Sequence, residues 1–219
     1  MQRLPIGQSS FSGIRRDNYL YVDKTEDIYR LVTGGKYYFL SRPRRFGKSL
    51  LISTLKCLFE AKKELFEGLW IYDKWDWKKY YPVIVIDFNA ISSGNPEELN
   101  TKLLDNINNI GEEHGLTLKN TTLAERFEEI ITKLSKKYNS EVIILIDEYD
   151  RPIINHLGEG EKRLEIAKEN REILKTFYSE IKASSVQDVT RFVLLTGVSK
   201  FSKVGVCLLY TSPSPRDRG

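Results

Sequence analysis

The chain has 219 residues, of which 41% are hydrophobic, 11% aromatic and 29% charged, and its formal net charge is +4. This composition excludes disorder as the main state, because so much apolar surface offsets the conformational entropy of the chain. No apolar run reaches the roughly 18 residues of a membrane-spanning helix, and the first residues lack the apolar core of a secretory signal, so we expect a cytoplasmic protein. The two cysteines, Cys57 and Cys207, are too few for a disulfide framework or a zinc site.

The last residues of the chain, 207–219, differ in character from the rest. Residues 207–217, CLLYTSPSPRD, match the in-frame translation of a transposon adapter used for sequencing libraries. We therefore predict that 207–219 is a cloning or assembly remnant, and the alternative is a native flexible tail rich in proline and serine. Because the tail holds Arg216, Asp217 and Arg218, the remainder carries 32 basic and 29 acidic residues, a net charge of +3.

Four short apolar runs predict β-strands, at residues 36–40, 83–88, 142–146 and 191–195. Continuous apolar strands are typical of parallel sheets that are covered on both faces. Between them lie segments whose apolar residues recur with helical spacing, and their predicted buried residues are Leu51, Leu55, Leu58 and Phe59; Leu99, Leu103, Leu104, Ile107 and Ile110; Phe127, Ile130, Ile131 and Leu134; and Leu164, Ile173, Leu174, Phe177 and Ile181. Alternation of strand and helix predicts an α/β fold with helices on both faces of a mostly parallel sheet.

Two segments stand outside this alternation. Residues 1–35 are predicted to form an N-terminal extension, with a short amphipathic helix around 25–32, that packs on a core of residues 36–206. Residues 65–81 carry Trp70, Trp75 and Trp77, and they predict a packed irregular connection rather than a platform for stacking bases.

The run SRPRRFGKSLL, residues 41–51, follows the first predicted strand and begins the first core helix. Free N–H groups and the helix dipole favour an anion at such a helix start, and Gly47 allows a close approach of the backbone to a phosphate. Lys48 then supplies a positive charge to the β- and γ-phosphates, and the Ser49 hydroxyl a ligand to Mg²⁺. The segment is therefore a candidate P-loop.

One feature departs from the usual GxxxxGK[ST] pattern. Arg42 stands where the first glycine is expected, and Pro43 follows it, which biases the backbone before it toward an extended form. We expect the loop to enter its turn differently for this reason. Arg44 and Arg45 are expected to add positive charge beside the phosphates, with solvated surface arginines as the alternative.

A second motif, LIDEYD, lies about a hundred residues later at the end of a predicted buried strand. Asp147 is placed to hold Mg²⁺, and Glu148 to orient or deprotonate an attacking water. The alternative for an Asp-Glu pair after a strand is a helix cap followed by a first-turn acid. A phosphate loop in the same chain favours the catalytic interpretation.

The number of strands points to the P-loop ATPases that use a catalytic glutamate. In that group the strand after the Asp-Glu strand inserts between the two motif strands and ends in a polar residue that senses the γ-phosphate. Here that strand is 191–195, so Thr196 becomes the sensor candidate, with Ser199 and Lys200 in the segment that follows. Ligands bind at the carboxyl ends of parallel strands, where Ser41, Asp87, Asp147 and Thr196 all fall.

The chain resembles the AAA-ATPase-like proteins of bacteria, which often carry a C-terminal PD-(D/E)XK nuclease-like domain. The resemblance rests on LPIG (4–7), YVDKT (21–25), SRPRRFGKSLL (41–51), LFEGLWIYD (65–73), LIDEYDRPI (145–153) and LTGVSKFSKV (195–204). It implies a three-layer P-loop sandwich whose last strand, beside residues 36–40, is expected to be missing together with a nuclease-like effector region. It also implies ATP binding, and Arg-Pro-Arg-Arg in place of the first glycine is usual in that family.

The predicted function is ATP binding with Mg²⁺-dependent hydrolysis, coupled to a conformational change or to that effector. The predicted catalytic residues are Glu148, Lys48 and Thr196; the nucleotide-binding residues Arg44, Arg45, Phe46, Gly47, Lys48, Ser49 and Leu50; and the metal ligands Ser49 and Asp147. One alternative is a nucleotide-sensing module with little hydrolysis. A weaker one is a DNA-binding module that uses Arg42, Arg44, Arg45, Lys62 and Lys63. Candidates of lower rank are Tyr21, Asp23 and Lys24 beside the adenine, and Asp150 and Arg151 as a link to a partner.

Overall fold

The computed structural model describes residues 2–91, 94–158 and 160–199. Its sheet has four strands: β1 (Tyr37–Ser41), β2 (Val83–Asp87), β3 (Val142–Asp147) and β4 (Thr190–Gly197). Their order is β1-β4-β3-β2, and every neighbouring pair is parallel. The predicted α/β fold with a mostly parallel sheet is confirmed, and so is the insertion of β4 between the two motif strands.

Helices connect and cover these strands. They are α1 (Phe11–Arg16), α2 (Thr25–Gly34), α3 (Lys48–Phe59), α4 (Pro96–Glu113), α5 (Leu123–Tyr138), α6 (Arg151–Ile154), α7 (Glu161–Ser179) and α8 (Ser184–Gln187), with short 3₁₀ turns at Lys63–Phe66, Trp70–Asp73 and Glu180–Lys182. Local sequence sets several boundaries: Asn95 and Thr122 cap α4 and α5 through their side chains, and Asn139 ends α5 in a left-handed conformation. None of the helices in the described part of the chain is long and apolar enough to cross a membrane.

The sheet separates two hydrophobic clusters because side chains alternate between its faces. Ile144 and Ile146 of β3 point into the cluster under α4, α5 and α7, whereas Ile143 and Leu145 point into the cluster under α2, α3 and the 63–81 connection. All six residues of β3 are buried. β3 is one of the two inner strands of the sheet. Full burial of each of its apolar side chains contributes about 1.5–3 kcal/mol, which holds the carboxyl end of the strand in place.

The N-terminal segment and the tryptophan-rich connection pack on the same side of the sheet. Phe11, Ile28 and Val32 are buried there with Leu55 and Leu58 of α3. Trp75 and Trp77 lie against Phe59 and Phe66, while Trp70 is 40% exposed. The predicted packed connection is confirmed.

One predicted core position is wrong. Leu164, placed on the apolar stripe of the fourth long helix, is 46% exposed. The buried residues of α7 begin at Ala167 and continue through Asn170, Leu174 and Phe177, whereas residues 161–165 are exposed, so the first turn lies outside the core. The predicted tail, 207–219, and the sensor candidate Lys200 lie outside the described residues.

Candidate functional site

The phosphate loop, residues 42–47, runs between the end of β1 and the first residue of α3. Gly47 is the residue before the helix and has a left-handed backbone with φ of 75°, which glycine adopts without strain. A Cβ at Gly47 would meet no atom within 4 Å, so the space above the loop is open. Arg45 also has positive φ, 67°, and Arg42 continues the β1 ladder by donating its N–H to the Gly197 carbonyl at 3.1 Å. The departure from the usual glycine pattern therefore gives an extended entry followed by a sharp turn.

Lys48 lies at the centre of this loop and is only 3% exposed. Its Nζ donates to the carbonyls of Arg42 at 3.1 Å and Pro43 at 3.2 Å, and it pairs with Glu148 Oε1 at 3.0 Å. A buried ammonium needs such partners to offset its desolvation. The ion pair joins the two motifs, which lie a hundred residues apart in sequence, into one site.

The acid turn, residues 147–150, follows β3 and holds the predicted metal ligand and general base. Asp147 is 2% exposed, and its Oδ1 accepts hydrogen bonds from the Thr196 hydroxyl and from the Glu148 N–H at 3.1 Å. Glu148 has positive φ, 52°, which is uncommon for a residue with a side chain and typical of functional sites. The chain thus turns sharply at Glu148, whose carboxylate reaches Lys48.

The predicted metal ligands Ser49 and Asp147 line the same cavity, of about 260 Å³. Asp87 at the end of β2 lines it too, in register with Asp147. A hydroxyl and carboxylates are hard oxygen donors, and a site with few protein ligands suits Mg²⁺, which keeps several waters and binds substrate phosphates. The donor set therefore fits Mg²⁺, although the described residues contain no group of three or more His, Cys, Asp or Glu side chains that would hold a metal by themselves.

A larger cavity, of about 590 Å³, lies on the other side of the phosphate loop, between α3 and the N-terminal segment. Phe46, Gly47 and Leu50 of the predicted nucleotide-binding set line it, together with Tyr21 and Lys24. Its volume is in the range of small-molecule sites, and its walls are mostly aliphatic. Burial raises the pKa of the Tyr21 hydroxyl.

Asp23, which the sequence grouped with Tyr21 and Lys24, does not line this cavity. Its carboxylate instead accepts from Thr25 N at 2.8 Å, Thr25 Oγ1 at 2.7 Å and Trp70 N at 2.7 Å. Burial opposes ionisation, but these hydrogen bonds outweigh it and lower the pKa of Asp23. Asp23 therefore links the segment around Tyr21 and Lys24, which lines the cavity, to the 3₁₀ turn at Trp70–Asp73.

The arginines of the loop are less engaged than the sequence suggested. Arg44 and Arg45 are exposed, and neither lines the two cavities. Lys62 and Lys63 of the suggested DNA-binding set lie beyond the far end of α3, which at 1.5 Å per residue is about 18 Å long. Lys62 pairs with Glu60 at 2.5 Å and Lys63 lies over the Tyr72 ring at 4.6 Å, so the five cations do not form one patch.

The β4 turn, residues 196–199, was singled out in the sequence only for its polar side chains. In the structure its backbone contacts both motifs: Ser41 Oγ donates to the Val198 carbonyl at 2.9 Å, and Tyr149 N donates to the Thr196 carbonyl at 2.9 Å. Asp150, suggested as a link to a partner, is fully buried and accepts from Val198 N at 2.9 Å and Ser199 N at 2.5 Å. This suggestion is wrong for Asp150, because its carboxylate faces the β4 turn and not the surface.

Sequence reasoning missed two parts of the site. Ser9 and Ser10, just before α1, line the smaller cavity beside Ser49, and the carbonyls of the phosphate loop hold the Lys48 ammonium. The hydrogen bond from Phe11 N to Ser53 Oγ at 2.9 Å brings α1 against α3 and so positions these serines. No local motif indicates this contact, which depends on how α1 packs against α3.

Comparison with known proteins agrees with this geometry. A family model described as "Predicted AAA-ATPase" matches residues 5–207. An uncharacterized protein in the vnfD 5' region of Azotobacter chroococcum mcd 1 is 41% identical over 206 residues, which are 94% of this chain and 39% of the relative. The chain thus spans about two fifths of the length of that relative. It belongs to the AAA-ATPase-like family of predicted ATPases, a membership that indicates ATP binding.

Proposed function

We propose that the chain binds ATP with Mg²⁺ across the phosphate loop and hydrolyses it. The observation that carries this proposal is the ion pair of Lys48 and Glu148 at 3.0 Å, which brings the phosphate-binding cation and the predicted general base to the same point. The two cavities support it further. One lies beside Gly47 and the other beside Ser49, on opposite sides of the start of α3, as a nucleotide with its metal requires.

The larger cavity takes the adenosine. Its aliphatic walls at Leu50 and Ile28 and the ring of Tyr21 suit a flat heteroaromatic base, and Lys24 and Asp27 at its lining provide polar contacts for ribose or base. Phe46, which is 62% exposed at the mouth, gains burial when a ligand enters. The triphosphate then lies along the N–H groups at the start of α3.

Each polar residue has one task in phosphoryl transfer. Lys48 leaves the carbonyls of Arg42 and Pro43 and contacts the β- and γ-phosphates, while Glu148 accepts the proton of the attacking water. Ser49 and Asp147 would hold Mg²⁺, which when bound neutralises charge on the phosphate oxygens. Thr196 holds the Asp147 carboxylate from the β4 side and is the proposed γ-phosphate sensor, with Ser199 beside it in the β4 turn.

A second candidate, a nucleotide-sensing module with little hydrolysis, is favoured by one observation. The Glu148 carboxylate is held by Lys48 in an ion pair, so it is free to contact an attacking water only when the lysine moves to the phosphates. If ATP leaves this pair intact, the protein binds nucleotide without turning it over. In either case we propose that the bound nucleotide controls the conformation or activity of a C-terminal nuclease-like region of the longer protein, as the resemblance implies.

Three variants, each measured for ATP affinity or for phosphate release, separate the ATPase from the nucleotide-sensing module. Lys48→Ala is expected to weaken ATP binding by about 30-fold or more, because truncating a buried charge partner costs about 2–5 kcal/mol. Lys102→Ala, an exposed lysine on α4, is the matched control and leaves affinity unchanged.

Glu148→Gln keeps binding but lowers phosphate release by about 10²–10⁴-fold. Equal affinity in wild type and Lys48→Ala would refute the site, and wild-type binding with no phosphate release would select the sensing module.

A further inference from the structure

Asp150 is a buried carboxylate that the proposed chemistry leaves unused. It is 0% exposed, and among the described residues no cation pairs with it. It stands at the cap position of α6, yet its side chain does not cap that helix. Burying a carboxylate without a counter-charge is costly, so its placement calls for a reason beyond packing.

The carboxylate reaches across to the β4 turn. Its Oδ2 accepts from two consecutive N–H groups, of Val198 at 2.9 Å and Ser199 at 2.5 Å. Its Oδ1 has no hydrogen-bond partner in the described part of the chain and lies 2.8 Å from where a Cβ on Gly197 would stand. Asp150 thus binds the turn by one oxygen and approaches its glycine with the other.

The neighbouring residues reinforce the same contact. Tyr149 donates its hydroxyl to the Ser199 carbonyl at 2.8 Å, and its N–H to the Thr196 carbonyl at 2.9 Å. The ring of Tyr149 lies so close to Gly197 that a Cβ there would be 2.5 Å from two ring carbons. On the opposite side the turn contacts Ser41 and Arg42 at the start of the phosphate loop. The β4 turn is therefore a second connection between the acid turn and the phosphate loop, beside the ion pair of Lys48 and Glu148.

We propose that Asp150 is a positioning residue for phosphoryl transfer. By holding the N–H groups of Val198 and Ser199, it fixes the β4 turn so that the Thr196 hydroxyl stays on Asp147 and the turn stays against the phosphate loop. The inference rests on the proposed ATPase function and extends it to a residue that contacts neither nucleotide nor metal. The hydrogen bonds of the Asp150 carboxylate go to the β4 turn and not to the phosphate loop itself. Its loss is therefore expected to lower turnover more than ATP affinity.

The test compares Asp150→Ala, Asp150→Asn and Thr190→Val with wild type. Asp150→Ala is expected to lower kcat about 10- to 100-fold, the usual effect of removing an outer-shell partner, while ATP affinity changes by less than about threefold. The Asn carbonyl can accept the same two N–H groups, so Asp150→Asn is expected to recover turnover to within about threefold of wild type.

Thr190→Val is the matched control for lost stability. It removes a buried hydrogen bond, from Thr190 Oγ1 to the Val186 carbonyl at 2.6 Å, at the opposite end of the same strand, about 23 Å from Gly197. Its melting temperature is expected to fall, with kcat unchanged. The inference is overturned if Asp150→Ala keeps wild-type kcat, if Asp150→Asn is as impaired as Asp150→Ala, or if Thr190→Val loses kcat equally. A wild-type protein that does not bind ATP overturns the proposed function instead, and this inference with it.

Discussion

The phosphate loop and the acid turn face each other across Lys48 and Glu148, but they are built in opposite ways. All six residues of the loop are exposed, and backbone atoms of Arg42, Pro43 and Gly47 make hydrogen bonds. In the acid turn Asp147, Tyr149 and Asp150 are at most 2% exposed, and each bonds to the β4 turn.

This difference in exposure corresponds to two different roles in the proposed reaction. Exposed backbone with few buried contacts opens at low free-energy cost, so the phosphate loop can wrap a ligand. Carboxylates that act on a transition state must instead be held in place before the reaction, because reorganisation during the reaction would raise its barrier. The structure thus combines an exposed loop, the proposed binding element, with a buried turn, the proposed catalytic element, and substitutions in the two regions should separate affinity from stability.

The largest effect is expected at the glycine that packs against the buried turn. In Gly197→Ala the new Cβ would lie 2.5 Å from the Tyr149 ring, which is buried and packs edge-on against Phe39. Overpacking of this kind costs about 1–3 kcal/mol, which lowers Tm by about 3–10 °C in a thermal melt. Gly94→Ala is the control, because its Cβ at 2.6 Å meets only the flexible end of Glu98. Equal melting temperatures for Gly197→Ala and Gly94→Ala would contradict a tightly packed acid turn.

A smaller effect is expected at Thr196. Thr196→Val keeps the shape of the side chain but removes the hydroxyl that donates to the buried Asp147 carboxylate. Asp147 Oδ1 keeps the hydrogen bond from the Glu148 N–H, so the loss of the second one costs about 0.5–1.5 kcal/mol. Turnover should fall with stability, because Asp147 is then less firmly oriented. Thr196→Ser restores the donor and should recover both quantities in parallel measurements of Tm and phosphate release. Recovery of Tm without recovery of turnover would contradict the expectation that the hydroxyl alone positions Asp147.

In the exposed loop, Gly47→Ala is expected to act on affinity more than on stability. The residue has φ of 75°, which costs a non-glycine residue about 1 kcal/mol, but its Cβ would meet no atom within 4 Å. Gly68→Ala is a matched control, because Gly68 has φ of 76° and the same open surroundings outside the site. Both variants should lose about 2–4 °C in Tm, and only Gly47→Ala should bind ATP more weakly. Similar affinities for the two variants would mean that the phosphates do not lie above Gly47.

The sequence was sufficient for the regular part of the fold. The apolar runs that became β3 and β4 are almost fully buried, those of β2 are mostly buried and those of β1 partly, and such continuous runs carry a strong signal for parallel strands. Leu164 shows the limit of periodicity, which indicates an apolar stripe but not how far a neighbouring element extends along it. The sequence therefore predicted the strand order once the motifs were recognised, but not every buried position.

For the candidate site, motif residues were predictable and their supports were not. Lys48 and Glu148 follow from local patterns, whereas Asp150 and Gly197 owe their importance to contacts between segments almost fifty residues apart. Asp23 was expected beside the base on the strength of its neighbours Tyr21 and Lys24, but its hydrogen bonds turn it toward Trp70. A side chain's partners depend on tertiary packing, which a single sequence does not encode in any local pattern.

The smallest effect is expected when the pH is lowered, because Asp23, beside the wall of the larger cavity, then loses its charge and part of its contribution to stability. Because hydrogen bonds lower its pKa, its stabilising contribution is present above its unfolded value near 3.8 and is lost as pH falls through the folded pKa. Asp23 is exposed, so Asp23→Ala should lower Tm by only about 1–3 °C at pH 7, and this difference should shrink toward pH 3. Asp23→Asn keeps an acceptor without the titrating charge and serves as the reference. A wild-type to alanine difference that stays constant with pH would mean that the charge contributes nothing to holding the cavity wall, whereas a shrinking one assigns that wall to the carboxylate form of Asp23.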